Sequence, residues 1–350
     1  PISFLRNLWY CAGPVAALRR GVMRHQDLLG EPVLVGRDHA GAAFAMRDLC
    51  PHRGVLLSAG TLKSGANGSA SEVECPYHGW RFGTDGGCRA IPSLTPDQPM
   101  EVGRIRVKSY PVQERHGLIW VFMAGEGGAP HDGPPDIPHF APDAAPGFTD
   151  AMTFHCDLDH AVIGLMDPAH GPFVHRAWFW RSAKSIHEKA KKFHPSALGF
   201  TMTSHKPSSN SFAYKLLGGE VTTEISFRLP GIRIENIQAG KHHVVGLTTV
   251  TPVTAEATEV RQYFYWSAPW LGLFKPVLRS FARTFLDQDR EMVDLQHEGL
   301  KHNPRLMLID DADMQAKWYY RLRKEWETSQ AEARAFEHPI KEPVTLKWRS

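Results

Sequence analysis

Nowhere in the 350 residues is there an apolar run of the ~18 residues that a membrane-spanning helix needs. The first residues, Pro1-Ile2-Ser3-Phe4-Leu5-Arg6, lack the apolar stretch of a signal peptide, so a cytoplasmic protein with no membrane partner is expected. Cysteine is scarce: five residues, an odd number, exclude a disulfide scaffold. Neither sign of charge dominates, since 40 Lys+Arg against 37 Asp+Glu leave +3, and this argues against a nucleic-acid partner or a membrane surface. With 42% apolar and 22% charged residues the chain is neither disordered nor fibrous. No internal repeat and no G-x-G-x-x-G dinucleotide fingerprint is found, which leaves nicotinamide chemistry to another protein. What the chain has in excess is histidine, 19 residues.

At ~150 residues per domain the length predicts two domains. Residues 1–123 read as β-rich, with short apolar runs such as Pro32-Val33-Leu34-Val35-Gly36 and Gly117-Leu118-Ile119-Trp120-Val121-Phe122 between turn signals. In residues 124–149, 11 of 26 are Gly or Pro, which disfavours helix and central strand and marks a connection. Residues 150–350 form the second domain. A strand is expected near 152–157, then a helix carrying Asp167, His170 and His175, then strands over 198–268, including 221–229 and 262–266. Two helices follow: 270–300, with Phe274, Leu278, Phe281 and Phe285 at helical spacing, and the charged, amphipathic 312–331. The fold class is α+β, a β-rich domain followed by an antiparallel sheet with terminal helices.

Two pairs of metal-ligand residues stand out. Cys50-Pro51-His52-Arg53-Gly54 is C-x-H, and Cys75-Pro76-Tyr77-His78-Gly79-Trp80 is C-x-x-H, with 22 residues between His52 and Cys75. Two thiolates and two imidazoles suit zinc or an iron–sulfur centre. The boxes C-P-H-R-G and C-P-Y-H-G-W resemble those of a Rieske [2Fe–2S] domain over roughly residues 1–123. The resemblance implies that Cys50 and Cys75 hold one iron and His52 and His78 the other; exchanging thiolates for neutral imidazoles raises the potential. Between the boxes lies a small, polar insertion, residues 64–71, read as a longer loop that leaves the ligands untouched. Cys11, Cys88 and Cys156 lie outside both boxes.

Asp167-Pro168-Ala169-His170-Gly171-Pro172-Phe173-Val174-His175 is D-x-x-H-x₄-H. On an unbroken helix the two histidines would sit about 140° from eclipsed, so Gly171-Pro172 is expected to break the helix and let both rings face one point. Two imidazoles and a carboxylate form the facial triad of non-haem Fe(II). His155 and His160 remain rival ligands by spacing, and Asp167 before Pro168 also fits a helix N-cap.

A Rieske box followed by this motif resembles the terminal oxygenase of Rieske non-haem iron systems, over nearly the whole chain. The length and arrangement are similar to the single-subunit monooxygenase and O-demethylase branch, which includes vanillate and dicamba O-demethylases; Asp-Pro-Ala-His is also similar to the branch acting on pheophorbide-like macrocycles. The resemblance implies a helix-grip catalytic domain, with a sheet curled round a long C-terminal helix and mononuclear Fe(II) between them. It implies His170, His175 and an acid on that helix as ligands, Asp289 after Gln288 matching best and Asp294 taking a later acidic position. It implies that Asp167 joins the iron to His78 of a neighbouring subunit in a head-to-tail homotrimer. An Asn common three residues before that Asp is Gly164 here. The electron donor would be a ferredoxin or a flavin/iron–sulfur reductase drawing on NAD(P)H, and O₂ the co-substrate. The product would be a monooxygenated (hydroxylated or demethylated) small apolar, aromatic compound, with Trp178, Phe179, Trp180, Phe281 and Phe285 as pocket candidates. The alternatives are a cis-dihydroxylating dioxygenase, a Rieske ferredoxin-like carrier with a docking domain, and a structural zinc protein.

Overall fold

The computed structural model describes residues 4–65, 70–125, 128–130, 132–175, 186–207 and 220–350. The chain divides into two compact units: Arg6–Asp136 with Pro142–Ala144, and Pro1–Leu5 with Ile137–Ala141 and Ala145–Ser350.

The first unit is built of short antiparallel strands. β1 (Leu8–Pro14), β2 (Val22–Leu28), β3 (Glu31–Arg37), β4 (Ala43–Arg47), β5 (Thr61–Lys63), β6 (Glu72–Glu74), β7 (Arg81–Gly83), β8 (Cys88–Ala90), β9 (Ser109–Tyr110), β10 (Val112–Arg115) and β11 (Leu118–Met123) form three sheets, ordered β1-β11-β10, β2-β3-β4-β9 and β5-β6-β7-β8. All six residues of β11 are buried, so this strand reads as a continuous apolar run rather than an alternating one. The β5–β6–β7 ribbon carries the second Cys–His box at its β6–β7 turn. The insertion falls in the β5–β6 hairpin, with residues 66–69 outside the described residues.

The second unit holds one eight-stranded antiparallel sheet. Its strands are β12 (Phe148–Phe154), β13 (Glu188–Ser196), β14 (Gly199–His205), β15 (Val221–Arg228), β16 (Ile232–Ala239), β17 (His242–Pro252), β18 (Thr258–Trp266) and β19 (Val344–Arg349), in the order β12-β18-β17-β16-β15-β14-β13-β19. β12 starts at Phe148, so the sheet claims the last residues of the Gly/Pro-rich stretch, and it ends at Phe154 rather than running to Asp157. β13 and β19 were not expected from the sequence. Lysines fill three of the first five β13 positions, so it shows no apolar alternation; β19 alternates apolar and polar residues (Val344, Leu346, Trp348 against Thr345, Lys347, Arg349), but it is a six-residue edge strand with four exposed residues.

α1 (Leu158–Met166), α2 (Gly171–Val174), α3 (Lys275–Leu300) and α4 (Met314–Ala331) complete the unit. The expected helix through Asp167 and both histidines is instead two helices with a turn between. Asp157, not Asp167, is the N-cap of α1, its carboxylate accepting from the His160 N–H at 2.9 Å; Asp167 is the C-cap. Gly171-Pro172 opens α2 rather than breaking a helix, as proline in the first turn needs no N–H partner.

In α3 the buried residues are Ala282, Leu286 and Val293, spaced four and seven apart, and Asp289 falls between the last two on the same stripe. α1 lies on the same face of the sheet. A Cβ added to Gly231 would stand 3.0 Å from Val250 and 3.1 Å from Val162 Cγ2 of α1, tighter than ordinary contact, so α1 packs closely over the β15–β16 turn. The register sets a polar row across this face, Asp150↔Gln262↔Thr248↔Arg233 on β12, β18, β17 and β16. α1 is tied to α4 by Asp159, which accepts from Tyr319 Oη at 2.7 Å and pairs with the half-buried Arg323 guanidinium.

Asp159→Asn keeps the tyrosine bond but removes the charge opposite Arg323. It should lower unfolding stability by about 1–3 kcal/mol in urea titration, with an unchanged m-value.

Candidate metal centres

The two Cys–His boxes fold into twin loops. In each, the glycine four residues after the cysteine donates its N–H to the cysteine carbonyl, Gly54 to Cys50 at 2.8 Å and Gly79 to Cys75 at 3.1 Å. The cysteine N–H donates to the carbonyl of the next residue along, Val55 or Trp80, at 2.8 Å in both. Gly54 and Gly79 both have φ of 69°, which only glycine adopts without strain, and this is why each box ends in Gly. Asp48, fully buried, holds the first loop from below, accepting from Ser58 N–H at 2.7 Å and from His25 Nδ1 at 2.8 Å.

Both cysteines are buried and both histidines exposed. Cys75 is close enough to act on the Cys50 thiol, and the His52 and His78 rings lie 4.6 Å apart with His52 stacked on Trp80 at 4.7 Å. Burial, reinforced by Cys75, pushes the Cys50 thiol up; the backbone N–H groups of His52 and Arg53 point at the same sulfur and oppose this. Among the described residues, only His170, His175 and Asp289 bring three ligand atoms within 4.8 Å of one another. The Cys–His quartet therefore does not close on one ion as structural zinc requires. Sulfur beside sulfur and imidazole beside imidazole, with N–H donors at a sulfur, fit a two-iron cluster.

In the second unit, His170 and His175 occupy the two ends of α2, one turn beyond α1, and Asp289 meets them from the middle of α3. His170 Nε2 lies 3.2 Å from His175 Nε2, and Asp289 Oδ1 lies 3.6 and 3.5 Å from them. The three ligand atoms stand within 3.6 Å of one another, close enough that a single ion would be held by all three. His170 Nδ1 donates to the Asp167 carbonyl at 2.8 Å, and His175 Nδ1 donates to Gln288 Oε1 at 3.1 Å. Each bond fixes the tautomer that presents a bare Nε2 lone pair to the centre. Two lone pairs and a carboxylate oxygen facing one another with no donor between them fit a cation.

Burial, then His170, pulls His175 down to about 4 and keeps it neutral. Burial raises Asp289 to about 6, against the pull of His170 and Arg233. Burial opposes charge on His170, but Asp167 and Asp289 outweigh it and its pKa is raised. Asp167 itself is lowered, the His170 ring overcoming burial.

The rival residues face elsewhere. His155 pairs with Asp294 at 3.2 Å on the surface, and His160 with its neighbour Asp157 at 2.9 Å. Beside the triad opens a cavity of about 250 Å³, bordered by Gly164, Val174, Val260, Leu286 and Val293 together with Asp167, His170 and Asp289. A Cβ on Gly164 would meet nothing within 4 Å, so the glycine leaves that space open. Of the pocket residues expected from sequence, Phe285 packs edge-on against the His175 ring at 4.5 Å, and neither it nor Phe281 borders this cavity. Trp178, Phe179 and Trp180 lie outside the described residues. Sequence reading assigned no role to Gln288, Asp48 or Arg233. The stripe 282, 286, 289, 293 on α3 is the signal that separates Asp289 from Asp287, Glu291 and Asp294.

Residues 8–111 match the family model of the Rieske [2Fe-2S] domain, and residues 154–328 match that of the vanillate O-demethylase oxygenase C-terminal domain. The chain is 37% identical over 183 residues to chlorophyllide a oxygenase of Chlamydomonas reinhardtii, 51% of this chain and 25% of that protein. It is 32% identical over 179 residues to the oxygenase component of dicamba O-demethylase of Stenotrophomonas maltophilia, 50% of this chain and 49% of that protein. The matches thus span about a quarter to a half of these relatives' length. The crystal structure of dicamba monooxygenase bound to dicamba superposes with a TM-score of 0.73 at 23% identity, over 95% of this chain and all of that one. A Pseudomonas putida CBB5 NdmA mutant with theobromine gives 0.72 at 20% identity, over 97% and 96%. At these identities the structures show a shared fold.

Two outcomes follow from the geometry. Gln288→Ala should weaken iron binding about ten- to a hundredfold while the visible spectrum of the first unit is unchanged. Asp289→Ala should abolish iron occupancy in the second unit and Asp294→Ala should retain it, as read by metal analysis; the reverse result would move the ligand along α3.

Proposed function

Because the chain belongs to the Rieske oxygenases, joining a Rieske [2Fe-2S] domain to an oxygenase domain of the vanillate O-demethylase type, we propose that it is the terminal oxygenase of a multicomponent system and monooxygenates an aromatic or fused-ring substrate. The observation that carries this reading is the convergence of His170, His175 and Asp289 on one point beside a cavity. A pure electron carrier has no use for such a site. When bound, the cluster at Cys50, His52, Cys75 and His78 supplies one-electron transfer, and the Fe(II) at His170, His175 and Asp289 supplies redox chemistry toward O₂.

The remaining work falls to the protein. His170 and His175 are held in one tautomer by the Asp167 carbonyl and Gln288, so the ligand set is preorganised. Asp289 gives up its proton to ligate, which makes iron loading fall as the pH drops through about 6. Val174, Val260, Leu286 and Val293 exclude water from the cavity and hold an apolar ring by contact. Net, one atom of O₂ enters a C–H bond and the other leaves as water; the two electrons and two protons come from outside, through a ferredoxin or a flavin/iron–sulfur reductase that draws on NAD(P)H. Where the carbon is a methoxy or N-methyl group, the product collapses to formaldehyde and the demethylated compound.

Asp167 has its own place in this reading. Its side chain is 35% exposed, one oxygen accepts the Ala169 N–H at 2.7 Å, and the other stands 3.6 Å from His170 Nδ1. His78 is likewise exposed. A head-to-tail ring of copies, a homotrimer by family likeness, would let the His78 of one copy reach the Asp167 of the next.

The reading is tested with labelled O₂ and an aromatic panel in the presence of a reductase. One labelled oxygen per product is expected, and a doubly labelled cis-diol would instead establish dihydroxylation. Asp167→Asn should keep both metal centres, by spectrum and metal analysis, yet slow turnover strongly.

A further inference from the structure

We propose that the start of α3 docks on a membrane surface, and that its partner is the headgroup region of a bilayer carrying anionic phospholipid. α3 is entered through a short 3₁₀ helix, Pro269–Phe274, which is fixed to the second unit by its buried Leu271 and by the buried Ala268 before it. From Gly272 to Phe281 no residue is buried, and the first buried residue of α3 is Ala282. About two turns of helix thus lack the packing that normally sustains a helix. Their exposed side chains are nevertheless apolar: Leu273 is 82% exposed, Val277 49% and Phe274 41%. Trp270 completes the group, its ring edge-on to Phe274 at 6.1 Å.

Charge selects the partner. Between Glu259 and Asp287 there is no Asp or Glu, while the first nine residues of α3 carry Lys275, Arg279 and Arg283. Arg283 is paired with Asp150 and Asp287. Lys275 and Arg279 are exposed and have no ion pair among the described residues. Cations in the first turns of a helix oppose its dipole, so they do not serve α3 itself. The near-zero balance of the whole chain, which argued against a membrane surface, conceals this local separation. Trp, Phe and Leu beside Lys and Arg are the combination that seats a helix among lipid headgroups. Three exposed side chains fall far short of the ~800 Å² per partner that a specific protein interface buries, whereas a bilayer needs no matching shape. They reach headgroup level only, and no helix among the described residues is long and apolar enough to cross.

The test is co-sedimentation of the metal-loaded protein with vesicles of phosphatidylcholine, alone or mixed with phosphatidylglycerol. The wild type should bind the anionic vesicles about tenfold more tightly than the neutral ones, and the preference should fade as salt rises. Leu273→Asp should weaken binding to the anionic vesicles about ten- to a hundredfold, and the milder Val277→Ser should lose a smaller part. Replacing Lys275 and Arg279 together by alanine should erase the preference for anionic lipid and leave the weak binding to neutral vesicles. Leu306→Asp, in the exposed apolar run Leu306–Ile309 beyond α3, should change nothing. The visible spectrum and iron occupancy should stay constant throughout, so that lost binding is not lost folding. No binding of the wild type to anionic vesicles, binding that survives Leu273→Asp, or an equal loss in Leu306→Asp would overturn the proposal. So would a fall in the mass of the lipid-free protein on Leu273→Asp, read by sedimentation, which would give this face to a second copy. None of these readouts uses turnover, so each leaves the oxygenase reading standing.

Discussion

The burial of one carboxylate governs the second unit. Asp289 stands on the apolar stripe of a 26-residue helix, where burial raises its pKa to about 6. A charge in that position is tolerated only if cations or donors come to it. The fold builds the seat for a metal cation beside it: the ends of α2 bring two imidazoles that offer lone pairs, and α1, anchored to α4 through Asp159, fixes where α2 begins.

The first unit solves a different problem with less material. Its strands are mostly three to seven residues long, and the cluster ligands come from two turns rather than from a packed helix pair. Each turn is closed by the same two backbone hydrogen bonds and the same left-handed glycine. Two short motifs therefore encode nearly all of the local geometry, which is why they were readable without knowledge of the fold.

Legibility followed that division. C-x-H and C-x-x-H state their own loops, and a Gly/Pro-rich stretch states its own lack of regular structure. The strands 221–228 and 258–266 and the helices 275–300 and 314–331 emerged from ordinary periodicity. β13 did not, because its lysines sit on a strand with little apolar contrast between faces. The turn at Asp167–His170 was misread because Asp-Pro is an N-cap signal locally, whereas here the preceding helix had already claimed the position as its end. Gln288 could not be read at all: its role comes from a pairing 113 residues away. Asp289 is the instructive middle case: the family resemblance pointed to it, and the buried residues Ala282, Leu286 and Val293 of α3 show why that position faces inward.

The polar row from Asp150 to Arg233 depends on strict register, and β16 and β17 are joined by only Gly240 and Lys241. One residue more or less within β16 or β17 would turn the rest of that strand's side chains to the opposite face of the sheet. The β5–β6 hairpin is under no such restriction, for its extra residues lie beyond the last paired position, Lys63↔Glu72. Descendants of this gene can therefore drift in length at one hairpin without consequence, while at the other the reading frame of side chains against the sheet is locked, and insertions there will be purged long before substitutions are.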